Sequence, residues 1–205
     1  MAVRAAGFRR TGPDPRERAR DRLLDTALRL FAERGYVAVR VEDIARAAGV
    51  SRATFYKHFS EREEILAELF ARLLGREPAA PPTGDPADAV ARVRALLQDA
   101  AARMVADEQL ARFVYTLPIR HAALLGEGAR PPVLDLVEQV VEEGAAAGAV
   151  RDDIPPTLIT AHLARTFEAA MRDWAEGRVE DIGPHLEVMV DLAFDGARWR
   201  PAANG

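Results

Sequence analysis

Ser51, Arg52, Thr54, Tyr56, Lys57 and His58 place two hydroxyls, a phenol, a guanidinium, an ammonium and an imidazole close together in one short stretch of the chain. These are mostly donors, suited to phosphate oxygens and to the edges of bases. Arg52 stands out. Its planar fork can give two parallel hydrogen bonds to guanine, so it is the leading candidate for reading sequence. Ser51, followed by the free amides of a first helical turn, suits a phosphate. Such chemistry needs one helix face held outward and the other sealed.

The flanking residues meet that need. Residues 41–60 read VEDIARAAGVSRATFYKHFS. The small Ala45 lets two helices approach, and Gly49, four residues on, supplies a left-handed turn that a Cβ resists. Ile44, Ala48, Val50, Phe55 and Phe59 are the apolar positions that seal the pair against a third helix. The pattern is that of a helix-turn-helix, with one helix over 41–48 and the next over 52–59, capped by Ser51. An earlier helix is expected from Pro15, with Asp14 as its cap and Leu23, Leu24, Ala27, Leu30 and Phe31 as its stripe, ending at Gly35. A later one is introduced by Ser60-Glu61-Arg62-Glu63, read as a capping box, and runs through Ile65, Leu69 and Leu73 to Gly75.

Past a Pro- and Gly-rich stretch at 75–86, the chain reads as helical again: 86–106, 107–117 up to Pro118, one from Pro131-Pro132, 156–176 and 184–195, with a Gly-Ala stretch at 144–149. No alternating strand pattern occurs, so the fold class is all-α. The expected organisation is a flexible basic arm over 1–14, whose Arg4, Arg9 and Arg10 suit a minor groove, a DNA-binding domain over 15–60, a connecting helix over 61–75, and a second helical domain over 76–205.

Composition narrows the function. The net charge of −4 hides an asymmetry: residues 1–75 hold 15 Lys+Arg against 11 Asp+Glu, the rest 13 against 21. A basic head suits a polyanion. Lys57 is the only lysine of the chain. Catalysis is not expected: the histidines at 58, 121, 162 and 185 are dispersed, no Glu stands three residues before any of them, and no Gly-rich phosphate loop, Gly-x-Ser-x-Gly or cysteine nucleophile is present. No metal site and no cofactor are expected. Nothing long enough to span a bilayer and no secretion signal is read, so a cytoplasmic location and no membrane partner are expected.

Residues 1–75 resemble the DNA-binding domain of the tetracycline-repressor (TetR/AcrR-type) family of transcriptional regulators. The likeness runs through LFAERGY, VEDIARAAGVSRATFYKHF and SEREEIL. Further on, GAVRDDIPPTLITAHLARTFEAAMRDWAEG is similar to the family's penultimate helix and HLEVMVDLAF to its last. The resemblance implies a double-stranded DNA operator as partner. It assigns base edges to Arg52 and Thr54, backbone phosphates to Tyr56, Lys57 and His58, and a phosphate to Arg62, where the family usually has lysine. Arg40 replaces the usual Thr or Ser cap of the second helix but can still reach a phosphate. Ala53 replaces a common glycine and keeps the backbone further from DNA.

One helix-turn-helix makes few contacts, so a homodimer on half-sites about 34–36 Å apart is expected. Ile159, Leu163, Phe167 and Ala170 form one stripe on the last two helices, and Leu186, Met189, Val190 and Ala193 another. Either stripe can serve the protomer core or the dimer interface. The resemblance also implies that 76–205 is an effector-binding and dimerisation domain with a pocket, for which Met104, Phe113, Tyr115, Leu117, His121, Phe167, Met171 and Trp174 are the larger or softer candidates. Together these features read as a repressor that binds a palindrome as a dimer and is released by a small apolar or aromatic molecule. The alternative is a helical adaptor of the same architecture without specific DNA binding.

Overall fold

The apolar stripes wind up as the periodicity requires. A computed structural model describes residues 15–75, 80–117 and 130–197, and every regular element in them is helical. The chain divides into two units, Met1–Ile65 and Leu66–Gly205.

In the first unit, α1 spans Pro15–Arg34, α2 Val41–Ala47 and α3 Arg52–Tyr56. A fourth helix, α4, begins at Arg62 and ends at Leu74. Leu23, Leu24, Ala27, Leu30 and Phe31 of α1 are buried, as are Ile44 and Ala45 of α2 and Phe55 and Phe59 at the far side of the turn. The turn itself closes as a Schellman motif. Gly49 sits at φ +69°, Val50 N donates to Ala45 O at 3.0 Å and Gly49 N to Arg46 O at 3.2 Å. These two bonds satisfy carbonyls that the end of α2 leaves open. A Cβ on Gly49 would meet nothing within 4 Å, so its left-handed backbone is what calls for glycine there.

Two boundaries differ from expectation. The helix after the turn stops at Tyr56 instead of residue 59, because its end tightens: Lys57 N bonds Thr54 O at 3.2 Å and His58 N bonds Phe55 O at 2.9 Å. Phe59 N still returns to Phe55 O at 3.0 Å, which keeps the Phe59 ring buried. At the start of α4, Glu64 and not Glu63 reaches back, its Oε2 accepting from Ser60 N at 2.6 Å and Ser60 Oγ at 3.0 Å. The helix begins at Arg62, so Glu64 and not Glu63 occupies its third position.

In the second unit, α5 (Ala89–Val105), α6 (Glu108–Thr116), α7 (Pro132–Ala146), α8 (Pro156–Ala175) and α9 (Ile182–Ala197) bury a shared core. α8 packs against α6, α7 and α9, while α5 packs against α7 and α9. Val93, Leu97, Val140, Leu163, Ala170, Leu186 and Val190 lie inside. His185, near the start of α9, pairs with Asp173 of α8 at 3.2 Å, while Asp181 accepts from Gly183 N.

Gly144, the first residue of the Gly-Ala stretch, lies inside α7. A Cβ there would come within 2.4 Å of Ala89 Cβ on α5 and 3.0 Å of Val150. Beside this close approach, Arg92 of α5 is buried, with Nη1 2.7 Å from Glu143 Oε2 and Nε donating to Pro82 O at 3.1 Å. The Arg92 guanidinium, helped by Gln139, holds the Glu143 carboxyl below its ordinary value. Gly144→Ala should therefore lower stability. Overpacking costs about 1–3 kcal/mol, against a helix-propensity gain of about 1 kcal/mol. Urea unfolding checks this, and Ala89→Gly in the same chain should recover part of the loss.

Candidate nucleic-acid interface

The face of α3 opposite its core side carries the donors. Phe55 is fully buried, while Ser51, Arg52, Ala53, Tyr56 and Lys57 are exposed and Thr54 and His58 half-buried. Ser51 caps the helix as expected: its Oγ accepts from Thr54 N at 3.0 Å and sits 2.9 Å from Thr54 Oγ1. Arg40, exposed at the start of α2, gives its own N–H to Asp43 Oδ2 at 3.1 Å. Asp43 thus supplies the half of the cap that does not depend on residue 40.

Arg52 is held in place on this surface. Its Nη1 lies 3.0 Å from Glu42 Oε1 across the α2–α3 turn, and its Nη2 approaches Tyr56 Oη at 3.5 Å. The Tyr56 ring lies under the guanidinium, 5.5 Å from its centroid. Hydrogen bonding to Tyr56 and the charge of Glu42 keep Arg52 firmly protonated.

Two side chains missed in the sequence reach α3 and its end from other elements. Arg20 of α1 donates to the His58 carbonyl at 2.7 Å and covers the Phe59 ring at 4.4 Å. Glu42 is the other. Arg20 looks like any exposed helix arginine in sequence, and the partners of both lie on other elements.

Arg62, expected at a phosphate, is engaged by the protein itself. Its Nη1 donates to the carbonyls of Tyr36 (3.0 Å) and Val39 (2.7 Å), and its guanidinium stacks 4.0 Å over the Tyr36 ring. The Tyr36 carbonyl also takes the Val39 N–H at 3.4 Å, which closes the turn Tyr36–Ala38, and a long fork arriving from the start of α4 bonds this carbonyl and that of Val39 together.

Tyr36 Oη then donates to Glu63 Oε1 at 2.8 Å. Burial, reinforced by this carboxylate, pushes the Tyr36 phenol up to about 12. The folded state thus holds a proton that the unfolded chain releases near 10. The resulting stability is complete below about pH 10 and is lost as pH climbs toward 12. Tyr36→Phe should flatten this alkaline decline relative to the parent chain, as followed by melting temperature from pH 9 to about 12.

The second-domain candidates fall differently. Ile159, Leu163, Phe167, Ala170, Leu186 and Val190 are buried within the protomer, and Met189 and Ala193 half-buried. Helical spacing cannot say which stripe seals α8 against its own neighbours, and here it is this one. The large apolar side chains left outside on these helices are Leu158, Val188 and Leu192, at 57%, 58% and 64% exposure. An apolar groove of about 340 Å³ beside them is lined by Ile154, Leu158, Ile159, Leu163 and Ala193, with His162 and Arg165. Met104, Phe113, Tyr115, Leu117, Phe167, Met171 and Trp174 are buried, with Tyr115 Oη on Met104 Sδ at 3.3 Å, and none of them lines that groove. Their burial follows from filling the core between α5, α6 and α8. His121 and the arm 1–14 lie outside the described residues.

A buried aromatic side, an exposed donor side and a Schellman turn define a helix-turn-helix protein. Residues 23–69 match the family described as bacterial regulatory proteins, tetR family. The match runs from within α1 through the helix-turn-helix into α4. An uncharacterized HTH-type transcriptional regulator of Mycobacterium tuberculosis is 45% identical over 64 residues, 30% of this chain and 32% of that protein. The chain therefore spans about a third of that relative's length. The HTH-type transcriptional repressor KstR2 of Rhodococcus jostii is 29% identical over 196 residues, 86% of this chain and 90% of the relative. The transcriptional regulator FadR of Bacillus subtilis, solved in complex with stearoyl-CoA, superposes with a TM-score of 0.63 at 19% identity, covering 87% of this chain and 99% of that one.

Proposed function

We propose that this protein is a transcriptional repressor that binds a palindromic duplex operator as a homodimer. The observation that carries the reading is the outward face of α3, where Arg52, Tyr56 and Lys57 stand exposed while Phe55 and Phe59 anchor the opposite side. Arg52 and Thr54 read base edges, and Tyr56, Lys57, His58 and Arg40 hold phosphates, with Ser51 presenting the first-turn amides. Ala53 allows the backbone a close but not intimate approach. The family and the repressor relative support this reading over an adaptor without DNA binding.

Homodimerisation is assigned to the exposed Leu158, Val188 and Leu192 with the groove beside them. Covering three such side chains removes apolar surface that a lone protomer leaves in water. No helix among the described residues is long and apolar enough to cross a membrane. A regulator that binds DNA acts where the DNA is, and the proposed site of action is the cytoplasm. The effector is an apolar molecule, and an acyl thioester is the class favoured by the stearoyl-CoA complex of the related fold. Its binding shifts the dimer to a spacing of recognition helices that no longer fits successive major grooves. A near-complete shift needs about 5.5 kcal/mol of differential affinity.

Selection of duplexes from a random pool, at several salt concentrations, tests the proposal. A two-fold symmetric sequence with half-sites about 34–36 Å apart and an affinity that falls steeply with salt is the expected result. Absence of any preference among duplexes at low ionic strength overturns it.

A further inference from the structure

We infer that Glu42 is a specificity-determining residue that reads a G·C pair jointly with Arg52. The inference deepens the proposed function and rests on α3 facing the bases.

Glu42 lies in the first turn of α2, next to Asp43, but the two carboxylates have different tasks. Asp43 closes the start of the helix through Arg40 N and lies 3.8 Å from Arg46. Glu42 turns across the motif to Arg52, 3.0 Å away, and both side chains are well exposed, at 63% for Arg52 and 44% for Glu42. An ion pair this open to solvent contributes little to stability. Its consequence lies in what it presents.

Each terminal guanidinium nitrogen has two hydrogens. Nη1 uses one toward Glu42 and Nη2 one toward Tyr56 Oη, so each retains one for a base. The carboxylate keeps a free oxygen and further lone pairs. The surface therefore offers, side by side, two donors and then an acceptor. The major-groove edge of a G·C pair offers the complement in the same order: the acceptors N7 and O6 of guanine, then the N4 donor of cytosine. O6 and N4 are themselves joined by a Watson–Crick hydrogen bond, which sets them about 2.9 Å apart. The Arg52–Glu42 separation matches that interval. Guanine and its paired cytosine can thus be engaged without breaking the ion pair.

The same arrangement rejects alternatives. An A·T pair at this position would turn the thymine O4, an acceptor, or the thymine methyl toward part of the array. A phosphate could take Arg52, but would bring its own negative charge against Glu42. Arg52 without its partner would lose the second half of the readout and gain freedom to settle on backbone.

The test compares the parent chain with Glu42→Ala, using duplexes selected on the parent and the same duplexes with each half-site pair changed in turn. Alanine is a good helix former, and the Glu42 side chain pairs only with an arginine open to solvent, so the melting temperature should not move. The parent should show one position per half-site where G·C is strongly preferred. In Glu42→Ala, discrimination at that position should fall by roughly tenfold, with other positions and the slope of affinity against salt unchanged. The inference is overturned if Glu42→Ala keeps the full preference, or if it raises affinity for every duplex equally, since the carboxylate would then act only by repelling DNA. A parent chain with no preferred duplex would instead defeat the proposed function itself.

Discussion

Phe55→Ala should unfold the amino-terminal unit under conditions where the parent chain is stable. Phe55 is fully buried in the five-residue α3, 5.8 Å from the Phe59 ring and edge-on to Tyr56 at 5.5 Å, measured between centroids. Removing the phenyl ring gives up its transfer from water and leaves a cavity beneath α3. Losses of this kind run to about 3–5 kcal/mol, which is comparable with the whole stability of a small domain at about 5–15 kcal/mol. Amide exchange in α2 and α3, read beside a urea melt, measures the effect, and duplex binding should disappear with the folded fraction. Phe55→Leu, which keeps most of the volume, should cost far less. A Phe55→Ala chain that melted like the parent would show that the ring does not hold this helix.

The second large effect is on binding alone. The double change Tyr56→Phe with Lys57→Ala should abolish operator binding and leave the melt in place, because Lys57 and the Tyr56 hydroxyl stand at the surface. Each half-site loses hydrogen bonds to a charged phosphate, worth about 1.5–3 kcal/mol apiece. Across a two-fold dimer even the lower figure for one bond per half-site removes about 3 kcal/mol, more than a hundredfold in affinity. Only Lys57 carries charge, so the slope of log affinity against log salt should flatten by about 0.9 for each lysine removed from a phosphate. Tyr56→Phe also removes the oxygen that faces Arg52 Nη2. For that reason the single variants should be measured too, and the loss of sequence preference should follow Tyr56 while the change in salt slope follows Lys57. Unchanged affinity in the double variant would remove the outward face of α3 from the interface.

The contrast between these two experiments mirrors what was legible beforehand. Phe55 and Tyr56 are adjacent in the chain, and the helical period alone says that they point in different directions. Gly49 announces the turn because a left-handed residue followed by a new cap is a local event, completed within five residues by the Ala45 and Arg46 carbonyls. Ser51 was readable as a cap on the same grounds. Arg62 was not readable: nothing adjacent to it says that two carbonyls, at Tyr36 and Val39, lie within reach. Gly144 reads in sequence only as the first residue of a Gly-Ala stretch, while its role is set by Ala89, far away in sequence.

By itself, then, the order of residues determined an all-helical chain, the position of the helix-turn-helix, its cap and turn, and which side of α3 is greasy. All of these are settled by interactions spanning a few residues, where period and backbone preference govern. Only the folded chain decided that the stripes of Leu163 and Leu186 face inward and leave Leu158, Val188 and Leu192 outside, that Arg62 points in, and that Glu42 grips Arg52. Those outcomes hang on distances between atoms of different helices, and such distances come into being only when close packing selects one arrangement of the whole.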